Sequence, residues 1–207
     1  MNSGSKDLVV LIADKNMEGA FLGLLSRPQS LGLRDLSYDL YVHPERDPGC
    51  FLRGHDFLRP FAYRYSYALV IFDREGCGKD TVGRIDLERQ VEQRLFSSGW
   101  NDRAAAIVID PELEIWVWSD SPHVESALGW PAGGSSIRDW LKQRGWLPEG
   151  EIKPTQPKLA VDEALHLHGK PRSSSIYHQL AKKVGFDRCA DPAFLKLRQI
   201  LSRWFSR

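Results

Sequence analysis

The sequence predicts an α/β fold: an open, mainly parallel four-stranded sheet flanked by helices, with a helical C-terminal extension. Three observations lead there. Four short runs rich in Val, Ile, Leu or Ala occur before Pro111. Segments of helical periodicity separate them. After Pro111 the strand signal fades and helical patterns take over. Strands alternating with helices form βαβ units, whose crossovers are right-handed.

The first strand is "DLVVLIA", Asp7 to Ala13, an unbroken apolar run that reads as buried on both faces. Met17 to Ser26 carries Ala20, Phe21, Leu24 and Leu25 at helical spacing. "LSYDLYV" from Leu36 to Val42 is the second strand. "HPERDPGCFLRGHD", with two prolines, reads as a polar loop, and Phe57 to Tyr65 as a helix. Tyr67 to Phe72 is the third strand. Ile85 to Phe96 is a helix with Ile85, Leu87, Val91 and Leu95 mostly on one face, and "AAAIVI" is the fourth strand. Asp110 followed by Pro111 reads as an N-cap and first helical residue. "SSIRDWLKQRGW", "LAVDEALHLHG" and "SSSIYHQLAKKVG" are helical, and the last helix starts with Asp191 as cap and Pro192 at its first position. The expected division is an α/β domain over 1–130 and a helical extension packed on it over 131–207, with "LPEGEIKPTQPK" as a linker or extended arm.

At 207 residues the chain is long enough for one substantial core. No run approaches 18 apolar residues, so no membrane span is expected. The N-terminal apolar run is short and closes on Asp14, unlike a secretory signal, which leads to the expectation of a cytoplasmic protein. Cys50, Cys77 and Cys189 are scattered and form no CxxC, so reduced thiols are expected rather than a zinc site or redox pair. Charge is uneven. From Lys170 to Arg207 there are nine Lys or Arg against Asp187 and Asp191, although the whole chain is only +1. A basic tail on an acidic body either meets nucleic acid or packs against that body.

Three of the strands end on carboxylates. The first ends at Asp14, with Glu18 a turn later; the third at Asp73 and Glu75; the fourth at Asp110, followed by Glu112 and Glu114. In a parallel sheet these ends share one edge, where open α/β folds bind their ligands. Carboxylates gathered there repel one another unless a cation offsets them, and an all-oxygen set suits Mg²⁺ or Mn²⁺. Each acid also has a structural reading. Asp14 can cap the following helix, Glu18 can be a first-turn acid favouring the dipole, and Asp73 and Glu75 can belong to a solvent-facing loop stabilised by Gly76 and Gly78. Glu112 and Glu114, two apart, point to different helix faces, so one of them is expected to face the site, and Glu112 is the favoured one.

Order and spacing resemble the Toprim domain shared by topoisomerases, primases and overcoming-lysogeny-type nucleases. "IADKNMEGAFLGLL" is similar to that family's "VEGxxDxxFL" stretch, with Asp14 in the Glu position and Glu18 in the Asp position. "FDREG" is similar to its DxD, with Asp73 first and Glu75 in place of the second Asp. "DPELEIWVWSD" resembles the "PExEAWxLAD"-type helix of Toprim-like proteins of unknown function in bacterial anti-phage defence clusters, matched by Glu112, Glu114, Trp116 and Asp120. The motifs cover roughly residues 7–130. Two departures stand out: the usual catalytic Glu is shortened to Asp14, and the usual following glycine is Lys15.

The resemblance implies a Mg²⁺- or Mn²⁺-dependent nuclease or phosphodiesterase of an anti-phage defence system. Asp14, Asp73 and Glu75 would be catalytic, and Asp14, Glu18, Asp73, Glu75 and Glu112 would supply metal ligands. Lys15, Lys79, Arg172, Lys182 and Lys183 would contact DNA or RNA, and other defence-system subunits would be partners. The alternative, which the departures at Asp14 and Lys15 favour, is a catalytically inactive scaffold or sensor with Trp130, Trp140 or Trp146 as exposed anchors. Arg53, Arg59 and Arg64 offer a second basic patch.

Other chemistries find no support. "REGCGKDT" fails the phosphate-loop pattern, since Asp80 follows Lys79 and no glycine precedes Gly78 by five. The six histidines form no HExxH, and no GxSxG occurs. Cys77 has no nameable histidine partner for nucleophilic work. Trp116 and Trp118 read as packing aromatics.

Overall fold

A computed structural model describes residues 5–79, 81–187 and 189–207. Strands β1 (Lys6–Ile12), β2 (Tyr38–Val42), β3 (Tyr65–Asp73) and β4 (Ala104–Ile109) form one sheet in the order β2-β1-β3-β4, and every pairing is parallel. The α/β sheet read from the sequence is therefore present. Leu8 to Ile12 are buried on both faces, as their unbroken apolar run requires.

Helices α1 (Lys15–Leu25), α2 (Arg46–Leu58) and α3 (Arg84–Leu95) make the crossovers. From β1 the chain moves to one side of the sheet, and from β3 to the other. With right-handed connections, α1 covers one face and α2 and α3 the opposite one. The direction reverses between β1 and β3, so a topological switch point lies at their carboxyl ends.

Among the described residues, six further helices follow β4: α4 (Glu114–Val117), α5 (Pro122–Leu128), α6 (Ile137–Gln143), α7 (Pro157–Leu167), α8 (Ser174–Lys183) and α9 (Pro192–Phe205). They share the core of the sheet: Leu141, Val161, Leu180 and Leu197 belong to the same buried cluster as Val10 and Ile71. Helix α8 lies directly on α1. A Cβ on Gly19 would come within 2.4 Å of the Ser174 carbonyl oxygen, and one on Gly23 within 2.5 Å of the His178 carbonyl oxygen. Two glycines four apart thus let the backbones touch, and α8 runs in the same direction as α1. An aromatic run, Phe21–Trp116–Phe194, joins α1 and α4 to α9.

Three local readings are corrected. "HPERDPGCFLRGHD" is not a loop, since α2 begins at Arg46 and runs through it. Pro48 sits in the first turn, where a missing N–H costs nothing, and Cys50, Phe51 and Leu58 face the core. Phe57 to Tyr65 is not a helix of its own: α2 ends at Leu58, and one 3-10 turn, Arg59–Phe61, leads into β3. No helix starts at Asp110. The Asp110–Pro111 peptide is cis, the Asp110 carboxylate pairs with Arg74 Nε at 2.6 Å, and the short helix begins at Glu114. Asp191, by contrast, caps α9 as expected, accepting from the amides of Ala193 and Phe194.

Candidate functional site

The register brings the first and third strand ends together. Ile12 pairs with Ile71, so Asp14 and Asp73 both stand two residues beyond that pair on neighbouring strands, one on each side of the switch point. Asp14 is the N-cap of α1, and its Oδ1 accepts from the Met17 amide at 2.8 Å.

Asp73 ends β3. Its Oδ1 is buried and has no hydrogen-bond partner. Burial, reinforced by the charges of Asp47, Glu114 and Asp14, pushes its pKa well above the usual carboxylate range.

Asp47 was not among the acids the sequence singled out. It lies in the first turn of α2, and its Oδ1 accepts from the Asp73 amide at 2.8 Å. Burial first, and then the charge of Asp14, raises its pKa. The signal that would have found it is an acid beside Pro48 at a helix start. The loop reading of that segment hid it.

Of Glu112 and Glu114, it is Glu114 whose charge helps raise the pKa of Asp73, whereas the sequence reading favours Glu112. Glu114 is buried, ion-paired to Arg172, and accepts from Tyr177 Oη at 2.6 Å. Glu112 points to the start of α7, where it binds the Lys158 amide at 3.2 Å and Lys158 Nζ at 3.1 Å. Burial raises the pKa of Glu112, against the pull of Lys158. For Arg172, burial opposes the charge, but Glu114 and Asp162 outweigh it and the pKa rises.

The remaining expected residues scatter. Glu75 lies on the exposed loop after β3, where its charge is felt by Glu112. Glu18 is bound by Lys15 at 2.7 Å, an i,i+3 pair on α1. Lys79 is exposed on the same loop as Glu75, and Asp80 lies outside the described residues. Arg172 borders the acids. Lys182 and Lys183 do not, because they close α8 at its far end, and α8 runs with α1 away from the carboxyl edge. The basic tail is therefore not one surface facing the acids. Arg53 pairs with Glu45.

The tryptophans expected as exposed anchors are packed instead. Trp130, Trp140 and Trp146 contact one another in sequence, and Arg144 lies over the last two. Trp118 is buried with its Nε1 donating to the Pro157 carbonyl at 2.9 Å, and Trp116 donates to Asp191 at 2.9 Å, in keeping with packing roles.

The edge thus gathers Asp14, Asp47, Asp73 and Glu114, four acids whose charges act on Asp73 or on each other, with Arg172 and Lys158 beside them. Among the described residues, no three His, Cys, Asp or Glu side chains already stand as a group that would hold a metal ion. Asp14 is bound by the Met17 amide, Asp47 by the Asp73 amide and Glu114 by Arg172. The donors nonetheless suit a hard divalent cation. All are oxygens, and the unpartnered Asp73 Oδ1 is the kind of buried acceptor that such an ion satisfies. Compared with protein-family models, with curated proteins and with solved structures, the chain gives no match. No helix among the described residues is long and apolar enough to cross a membrane.

Proposed function

We propose that this protein is a Mg²⁺- or Mn²⁺-dependent phosphodiester hydrolase acting on nucleic acid. One observation carries the reading: a buried carboxylate, Asp73, has an unpartnered oxygen and is surrounded by Asp14, Asp47 and Glu114 at the switch point of a parallel sheet. Asp73, with Asp14 and Asp47, would hold the ion. A bound ion would supply charge stabilisation at phosphoryl oxygens and a bound water of lowered pKa.

The protein groups have separate tasks. Asp14 keeps one oxygen on the Met17 amide, which fixes its side chain at the start of α1. Asp47 accepts from the Asp73 amide, which fixes its carboxylate at the start of α2 beside the end of β3. Arg172 and Lys158 bring positive charge beside the acids, where a phosphodiester would lie, while Glu114 and Tyr177 hold the Arg172 head. The likeness to Toprim-like proteins of defence clusters favours invading DNA or RNA as substrate.

The test is hydrolysis of single- and double-stranded DNA and RNA with Mg²⁺ or Mn²⁺, in the parent protein and in Asp73→Ala. Ion-dependent cleavage that the variant loses is expected. Equal cleavage in both removes the assignment.

A second reading, an inactive scaffold of a multi-protein complex, is supported by one feature. Arg172 and Lys158 already neutralise Glu114 and Glu112 without an ion. A protein that binds neither ion nor nucleic acid would favour it.

A further inference from the structure

The two edges of the sheet are finished differently. At β4, the amides of Ala106 and Val108 donate to Glu92 Oε1 and Glu88 Oε1 of α3, each at 3.1 Å. Lys196 of α9 binds these two carboxylates at 2.7 and 3.1 Å, and Arg84 adds a third contact to the buried Glu88. Side chains from both faces thus close the edge, and the N–H groups a further strand would use are occupied.

At β2, among the described residues, no side chain closes the edge in this way. Leu8 N donates to the Ser37 carbonyl and His43 N to the Ile12 carbonyl, so the odd-numbered residues of this strand turn their polar groups to β1. The even-numbered ones, Tyr38, Leu40 and Val42, turn theirs outward. Among the described residues these outward groups have no hydrogen-bond partner. The strand holds no proline, lysine or bulge, its register with β1 is unbroken, and all five residues are half-exposed. Its one charge, Asp39, is bound by Lys6 and by the Tyr65 hydroxyl rather than left bare on the edge.

We propose that the β2 edge is a self-association surface, on which β2 of a second copy pairs antiparallel about a two-fold axis through Leu40. Three outward residues centred on Leu40 make the strand self-complementary: Leu40 meets Leu40, and Tyr38 meets Val42, with every outward N–H and C=O satisfied. Side chains fit the same register. Leu–Leu and Tyr–Val pairs line one face, the latter a favourable aromatic–β-branched pair, and Asp39 lies opposite Tyr41 on the other. No like charges oppose each other, because each Asp39 faces a tyrosine and is already bound by Lys6 at 2.7 Å. The strand's one charge, Asp39, is already bound by Lys6 and Tyr65, so β2 itself offers a charged peptide no ion pair, which favours a second copy. The result is one continuous eight-stranded sheet. Its two halves run in opposite directions, so the two acidic edges face opposite ways and each copy keeps its own site.

A five-residue edge is small beside the ~1,200 Å² at the low end of stable interfaces, so association should be weak, in the micromolar range. Light scattering across a concentration series is expected to show the mass climbing from 23.6 kDa toward twice that value. Leu40→Pro removes the central N–H and is expected to weaken association at least tenfold, with circular dichroism confirming its fold. Leu40→Asp sets two carboxylates face to face and should act likewise. Leu40→Cys tests the register: opposite Cα atoms in such a pair are about 5.5 Å apart, within disulfide reach. It should cross-link under mild oxidation, whereas Tyr38→Cys should not, because its counterpart lies about 13 Å further along. A monomer at all concentrations overturns the proposal. So does a dimer that tolerates Leu40→Asp, or one that cross-links through Tyr38→Cys and not through Leu40→Cys.

Discussion

The main-chain amide of Asp73 donates to the Asp47 carboxylate at 2.8 Å, so the first turn of α2 holds the end of β3. The bond ties a residue that the sequence singles out to one that it hides. Asp47→Asn keeps an acceptor oxygen but removes a charge from the site. Mn²⁺ affinity is expected to fall about tenfold or more, with little change in urea unfolding. Asp47→Ala should lose the acceptor as well and cost a further ~1–2 kcal/mol of stability.

Asp73→Asn should stabilise the protein in the absence of metal by about 1–2 kcal/mol, as removal of a strained functional group commonly does, and abolish hydrolysis. Because burial and neighbouring acids raise the folded pKa, the folded state holds the Asp73 proton more tightly than the unfolded chain does. The cost is absent below the unfolded value of 3.8 and grows as pH rises from there through the folded pKa. Unfolding curves for parent and variant should therefore converge in acid and separate toward neutrality.

Ion uptake should release a proton for the same reason, since the ligand must be deprotonated. Calorimetric titration of Mn²⁺ in buffers of different ionisation enthalpy is expected to report proton release and an affinity that falls on acidification. A pH-independent affinity would mean that Asp73 is not a ligand.

The Arg172–Glu114 pair separates structural cations from surface ones. Glu114 is buried, so Arg172→Met leaves an uncompensated charge and should cost about 3–5 kcal/mol. Lys182→Met and Lys183→Met change exposed ends of α8 and should leave thermal unfolding almost unaltered. If nucleic acid binds at the acidic edge, these two variants should retain most of its affinity.

The sheet was legible in the sequence because its four strands are short apolar runs bounded by polar residues, and doubly covered strands must read that way. Asp14 and Asp73 were legible for the same reason: each stands where such a run stops. Helix α2 was not, because two prolines and two glycines mimic a loop, while Gly49 and Gly54 are there to fit against His43 and Val70. With the helix went Asp47. The helix read as starting at Asp110 starts instead at Glu114, so which way Glu112 and Glu114 face was not legible from their spacing. The packing of α8 on α1, which carries Lys182 and Lys183 away from the acids, depends on tertiary contact between backbones and leaves no local pattern beyond Gly19 and Gly23.

The most direct test of the central claim is an anomalous difference map from crystals soaked in Mn²⁺. A peak touching the Asp73 carboxylate together with Asp14 or Asp47 is the expected result. A map in which these side chains are ordered and the ion binds elsewhere, or not at all, would contradict a metal centre at this edge.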